Sequence, residues 1–184
     1  MNISAASDYG VRAALHLADA YLKDANGLST TEEISKAQDI PSKFLETLIR
    51  RLKEAGLVES RRGINGGHHL NMSPKEISIA DVIRAIDGPL AAVKGERPES
   101  LKYKASAKHL TSVWIAVRSS LRSVLEEVTL EAVVKDKLPS SIKKATSLPG
   151  AWERRKRIVF SNLLIFSSSG AVPSSTKSGF FGLS

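Results

Sequence analysis

Ser29-Thr30-Thr31-Glu32-Glu33-Ile34-Ser35-Lys36-Ala37-Gln38-Asp39-Ile40-Pro41-Ser42-Lys43-Phe44-Leu45-Glu46-Thr47-Leu48-Ile49-Arg50-Arg51-Leu52-Lys53-Glu54-Ala55-Gly56 holds two short helices and the turn between them. Ser29 with Glu32, and Thr30 with Glu33, each have the spacing of a capping box, in which hydroxyl and carboxylate satisfy the free N–H groups of a helix start. The helix they open runs to about Gln38. Asp39-Ile40-Pro41 ends it, because the residue before a proline is pushed out of helical geometry. A second helix over 42–54 turns Leu45, Leu48, Ile49 and Leu52 inward, and Gly56 suits a left-handed stop. Its opposite face carries Lys43, Glu46, Thr47, Arg50, Arg51 and Lys53. Two helices joined by a tight turn, the second basic on its outer face, form a helix-turn-helix pattern.

Upstream, Val11, Ala14, Leu15, Ala18 and Leu22 fall on one stripe of a helix over about 7–22, closed by the turn residues Asp24-Ala25-Asn26-Gly27. Downstream, apolar and polar residues over 57–60 and 68–72 flank Arg61-Arg62-Gly63-Ile64-Asn65-Gly66-Gly67. This reads as a β-hairpin with a basic, glycine-rich tip, a wing able to follow a minor groove. Ser78 and Asp81 start another helix, which Gly88-Pro89 stops. Residues 89–107 lack a clear period and are expected to be a linker or exposed loop. From about 105 to 128 the chain reads as helix. Leu110, Trp114, Val117, Leu121, Val124 and Val128 alternate spacings of four and three along it, a heptad seam suited to a partner helix. Thr129 caps a last short helix over 130–134.

The fold class expected is therefore mostly α with a small β-hairpin: a winged helix-turn-helix domain over 1–88, a linker over 89–107, a long C-terminal dimerisation helix region over 108–135, and a basic, flexible tail over 136–184. The net charge is +8, but residues 137–184 hold eight Lys/Arg against one acidic residue, so the excess lies in the tail. Within it, Pro139-Ser140-Ser141 reads as a break, Arg154–Arg157 as a basic run, and residues 158–166 as an apolar stretch too short to span a bilayer. No signal peptide or membrane span is read, which places the chain in the cytoplasm with no membrane partner.

There is no cysteine, and the four histidines (His16, His68, His69 and His109) show no metal-binding spacing. No cofactor or metal is expected. An enzyme is disfavoured, because neither a nucleophile–base pattern nor a paired-carboxylate pattern stands out and Gly63-Ile64-Asn65-Gly66-Gly67 does not open a helix. A winged-helix protein–protein module without DNA is the alternative reading; the basic reader and wing count against it.

These blocks together resemble the family of bacterial winged-helix regulators that includes IscR, NsrR and CymR. The resemblance rests on Ser7-Asp8-Tyr9-Gly10-Val11-Arg12-Ala13, on Ile40 through Leu48, on Leu52-Lys53-Glu54-Ala55-Gly56-Leu57-Val58, on Arg62 through Gly67, on Ile79 through Pro89, and on Val128 through Val133. It implies a homodimer of crossed C-terminal helices, with one reader helix per protomer in a major groove of duplex DNA. The family's base-contacting positions map onto Lys43, Phe44, Glu46 and Thr47, and its wing arginine onto Arg62. Arg50, Arg51, Arg61 and Asn65 are expected at the DNA backbone, where contacts position without specifying. Sensing members carry three cysteines in the segment equivalent to 91–106, and this chain has none there. Asp8 matches a ligand position of some nitric-oxide sensors, but one carboxylate cannot hold a cluster. The resemblance therefore implies a cluster-free branch answering to a small molecule or a protein, and a sequence-specific regulator, in the first instance a repressor, acting on a pseudo-palindromic operator.

Overall fold

The apolar faces converge on one core, although on the first helix the buried face centres on Ala13 and Leu17 and leaves Val11, Leu15 and Leu22 of the stripe read from the sequence only half-buried. A computed structural model describes residues 3–153. Helix α1 (Ala5–Lys23) buries Ala13, Ala14, Leu17 and Ala18 against α2 (Thr31–Gln38), α3 (Ser42–Glu54) and α4 (Ile79–Asp87). Ile34 of α2 and Leu45, Leu48, Ile49 and Leu52 of α3 complete the cluster. Strands β1 (Val58–Arg61) and β2 (Gly67–Leu70) pair antiparallel, Val58 opposite Leu70 and Arg61 opposite Gly67, with Val58 and Leu70 facing the core.

Turn chemistry sets the angle between α2 and α3. Thr30 closes the capping box with Glu33; of the two boxes the sequence offers, this one forms. Asp39 adopts φ 50°, and the Ile40 N–H donates to the Ser35 carbonyl at 3.1 Å, the long bond of a Schellman ending, with Ile40 buried beneath it. Helix α3 ends the same way. Gly56 has φ 75°, its N–H donates to Lys53, and the Leu57 N–H donates to Leu52, whose side chain is buried together with that of Leu57.

The segment expected as a linker is a built loop. Val93 and Glu96 exchange both backbone hydrogen bonds around Lys94-Gly95, both at positive φ, which is the geometry of a two-residue hairpin turn. Single 3₁₀ turns follow at Pro98–Ser100 and Ala105–Ala107, Leu90 and Pro98 are buried, and the Thr111 hydroxyl donates to the Leu101 carbonyl at 2.9 Å.

Helix α5 (Leu110–Leu125) is shorter than expected and has no fully buried residue. The chain then returns to the first core. Thr129 caps α6 (Leu130–Val134), Leu130 is fully buried against α1, and its N–H donates to Ile77 at 2.9 Å. Residues 128–134 thus pack on α1, as part of the core formed by the preceding helices. A further helix, α7 (Ser140–Thr146), follows Pro139, where a break was expected. One unit runs from Met1 to Ser147 and a second from Leu148 onward, of which residues 148–153 form turns closed by Ala151 N–H to Leu148 and Glu153 N–H to Gly150. The basic run 154–157 and the apolar stretch 158–166 lie outside the described residues. Among the described residues, no helix is long and apolar enough to cross a membrane.

Candidate nucleic-acid interface

With four apolar residues buried on one side of α3, its other side is left to solvent. Lys43, Phe44, Glu46, Thr47 and Arg50 are all exposed there. No side chain caps the α3 N-terminus and no acidic residue stands in its first turn, so its positive dipole end meets solvent unneutralised. Phe44 is 53% exposed, with its ring edge-on to Tyr9 at 6.1 Å; the Arg12 guanidinium lies 5.3 Å from the Tyr9 ring centre. Phe44 is therefore half anchored to α1 and half available.

Arg50 pairs with Glu54 at 2.9 Å, one turn on. An exposed pair of this kind is worth only ~0.3–0.5 kcal/mol, so a phosphate can take the guanidinium over readily. Arg51 departs from its expected role. Its Nη1 donates to the Ile86 carbonyl at 2.6 Å, satisfying a free carbonyl at the end of α4 and tying the reader helix to that helix. Arg61, Arg62 and Asn65 stand exposed on the wing. At its base, a Cβ on Gly66 would lie 2.4 Å from the Arg61 carbonyl, so the turn needs glycine there.

The wing is pinned by His68, one of the four histidines without metal-binding spacing. Ser29 and His68 exchange backbone bonds at 2.8 and 3.0 Å, adding a third edge to the hairpin. The His68 ring reaches Thr31 Oγ1 through Nε2 at 3.0 Å and Ser60 Oγ through Nδ1 at 2.8 Å, joining wing to α2. Glu46, Arg50, Lys53 and Glu54 line the same hollow from α3. Burial, and then Lys53, hold the His68 imidazole below its ordinary value of 6.5. The unfolded chain therefore takes up this proton at a higher pH than the folded one. Stability from this site is complete above about pH 6.5 and declines as the pH falls towards the lowered folded value. The melting temperature is expected to drop less between about pH 7 and about pH 5 in His68→Asn than in the parent; equal slopes in a thermal-shift series would remove His68 from this role.

Of the seam residues, Leu110, Trp114, Val117 and Leu121 are partly exposed along α5 and Val124 is 41% exposed. The Trp114 Nε1 is buried without a hydrogen-bond partner among the described residues. Val128 departs from the expectation. The helix stops at Leu125, and Val128 is buried in the chain's own core with its carbonyl accepting from Ile79 at 2.9 Å, so it is closed to a partner. Asp8 stands in the first turn of α1 and pairs with Arg12 at 3.2 Å.

This arrangement of reader helix and wing is shared with known proteins. Residues 3–136 match the model of the Rrf2 family, described as iron-dependent transcriptional regulators. The chain belongs to the Rrf2 family. An HTH-type transcriptional regulator of Mycobacterium tuberculosis is 44% identical over 143 residues, 77% of this chain and 86% of that protein. The HTH-type regulator CymR of Bacillus subtilis is 34% identical over 71% of this chain and 88% of its own length. The solved structure of B. subtilis CymR, the global cysteine regulator of that organism, superposes with a TM-score of 0.61 at 32% identity over 74% of this chain and 98% of that one. T. potens IscR superposes with a TM-score of 0.59 at 34% identity, covering 74% and 88% respectively. This Rrf2 chain is a DNA-binding transcriptional regulator with the winged-helix fold. The iron in the family's description finds no matching donors here. The sequence has no cysteine, and among the described residues no three His, Asp or Glu converge on one point. The loop over 88–107 meets arginines of α5 instead.

Proposed function

We propose that this Rrf2 regulator works as a homodimer, sets one α3 into each of two successive major grooves of a pseudo-palindromic operator, and represses by occupying promoter DNA. The observation that carries the reading is the outer face of α3, where Lys43, Glu46, Thr47 and Arg50 are exposed beside the exposed wing residues Arg61, Arg62 and Asn65. Lysine donates to guanine, glutamate accepts from cytosine N4, and the exposed edge of Phe44 suits a thymine methyl. Dimerisation is supported by α5, on which Val113, Ile115 and Val124 are 50%, 39% and 41% exposed. Two half-sites about one helical turn apart, ~34 Å, follow from a two-fold axis between the α5 helices. Duplex DNA and a second copy of the chain are thus the partners, with a small-molecule or protein effector as the signal.

Readers and positioners separate by experiment. Arg50→Ala is expected to weaken binding to all sequences alike and to flatten the salt dependence by about one unit per lost phosphate contact, two per dimer. Lys43→Ala and Glu46→Ala are expected to change which bases are preferred, by ~1–3 kcal/mol per altered pair. Fluorescence anisotropy on a panel of duplexes at several salt concentrations measures both. Identical behaviour of the two classes would dissolve the division.

A further inference from the structure

We infer that the cavity between the C-terminal end of α4, the loop over 88–107 and α5 binds a small polyanion carrying carboxylate or phosphate groups. The hollow holds about 430 Å³, room for a metabolite-sized ligand. Four arginines line it, Arg84, Arg97, Arg118 and Arg122, against one acidic residue, Glu99.

Most of these guanidiniums are held in position. Arg118 pairs with Glu99, Arg122 Nε pairs with Glu126 at 2.9 Å, and Arg84 pairs with Glu126 and with Asp81 at 3.3 Å. Each arginine presents five N–H donors, and these pairs use one or two of them. Once Glu99, Glu126 and Asp81 are set against the four arginines, one positive charge remains. Arg97, exposed at the rim, makes no ion pair among the described residues. Planar guanidiniums converging on one space match the paired oxygens of carboxylate and phosphate, and a divided anionic group can address several at once.

The location ties the cavity to the reader. Gly88 and Arg84 belong to the end of α4, and the Ile86 carbonyl in that same turn accepts from Arg51 of α3. A ligand that prefers one position of this helix end will favour one position of α3, and DNA will affect ligand affinity by the same factor. This regulatory meaning rests on the proposed function; the binding site does not.

Isothermal titration of the full-length chain, free of DNA and at about 0.15 M salt, tests the site with two probes, citrate for carboxylates and inorganic pyrophosphate for phosphates. Saturable uptake of at least one probe at one site per chain is expected. It should weaken about tenfold or more in Arg97→Gln, an exposed residue whose loss breaks no ion pair, and likewise in Arg118→Gln. In Arg50→Ala, which alters only the reader face, it should be unchanged. The probe that saturates identifies the group recognised. Failure of both to saturate, as when a second copy of the chain fills the hollow, overturns the inference. So does uptake that survives Arg97→Gln but is lost in Arg50→Ala, since the anion then sits on the DNA-reading face. Because no DNA is present, failure here leaves the regulator reading standing, and failure of DNA binding leaves this site standing.

Discussion

A Leu121→Glu variant is expected to remain folded, to sediment as a monomer, and to lose at least about a hundredfold in affinity for a two-half-site duplex. Leu121 sits in the middle of α5, a helix without a fully buried residue, so a carboxylate there is not forced into the chain's own core. In a dimer the same carboxylate would enter a dry seam facing its symmetry mate, a burial that is strongly unfavourable without a partner charge. Separating the protomers also removes the second reader helix from the same molecule, and joined binding sites gain ~10²–10⁴ in avidity. Sedimentation velocity and anisotropy measure the two consequences separately. A variant that stays dimeric would remove α5 from the interface. A monomer that retains full affinity would remove dimerisation from recognition.

The second large effect concerns stability. Leu52→Ala is expected to destabilise the chain by ~2–5 kcal/mol, because it empties a fully buried site in a packed core. The Leu52 side chain also provides the apolar contact of the Schellman ending at Gly56 and Leu57, so truncating it should loosen the junction between reader helix and wing. Thermal melting should fall by about 2–4 °C for each kcal/mol in a chain of this size. A change within about 1 °C would mean that the end of α3 is far less tightly packed than its burial indicates.

Local chemistry made much of the reader legible. The period of Leu45, Leu48, Ile49 and Leu52 fixed which face of α3 turns inward, and the glycine at 56 marked its end; both stand in the structure as read. What was illegible depends on partners distant in sequence. Nothing near Arg51 indicates that a carbonyl 35 residues away will take its guanidinium. The heptad seam predicted Val128 on a helix face, but the pull of Leu130 and the backbone pairing with Ile77 and Ile79 draw the chain out of helix and into the core. Lys94-Gly95 sat in a segment without period, and only the exchange of hydrogen bonds between Val93 and Glu96 reveals a turn. Pro139 has the look of a break, yet a proline also precedes helices comfortably, as it does before α7. His68 shows only the absence of metal-binding spacing in the sequence; its contacts with Thr31 and Ser60 exist only once the hairpin is folded against α2.

The most direct test is to incubate the purified full-length protein with fragments of its own genome at moderate salt and sequence the DNA retained. The account predicts enrichment of a pseudo-palindromic site within a promoter, with half-sites about one helical turn apart. Uniform, salt-sensitive retention without a shared motif would contradict it, leaving a basic protein that holds DNA by charge alone.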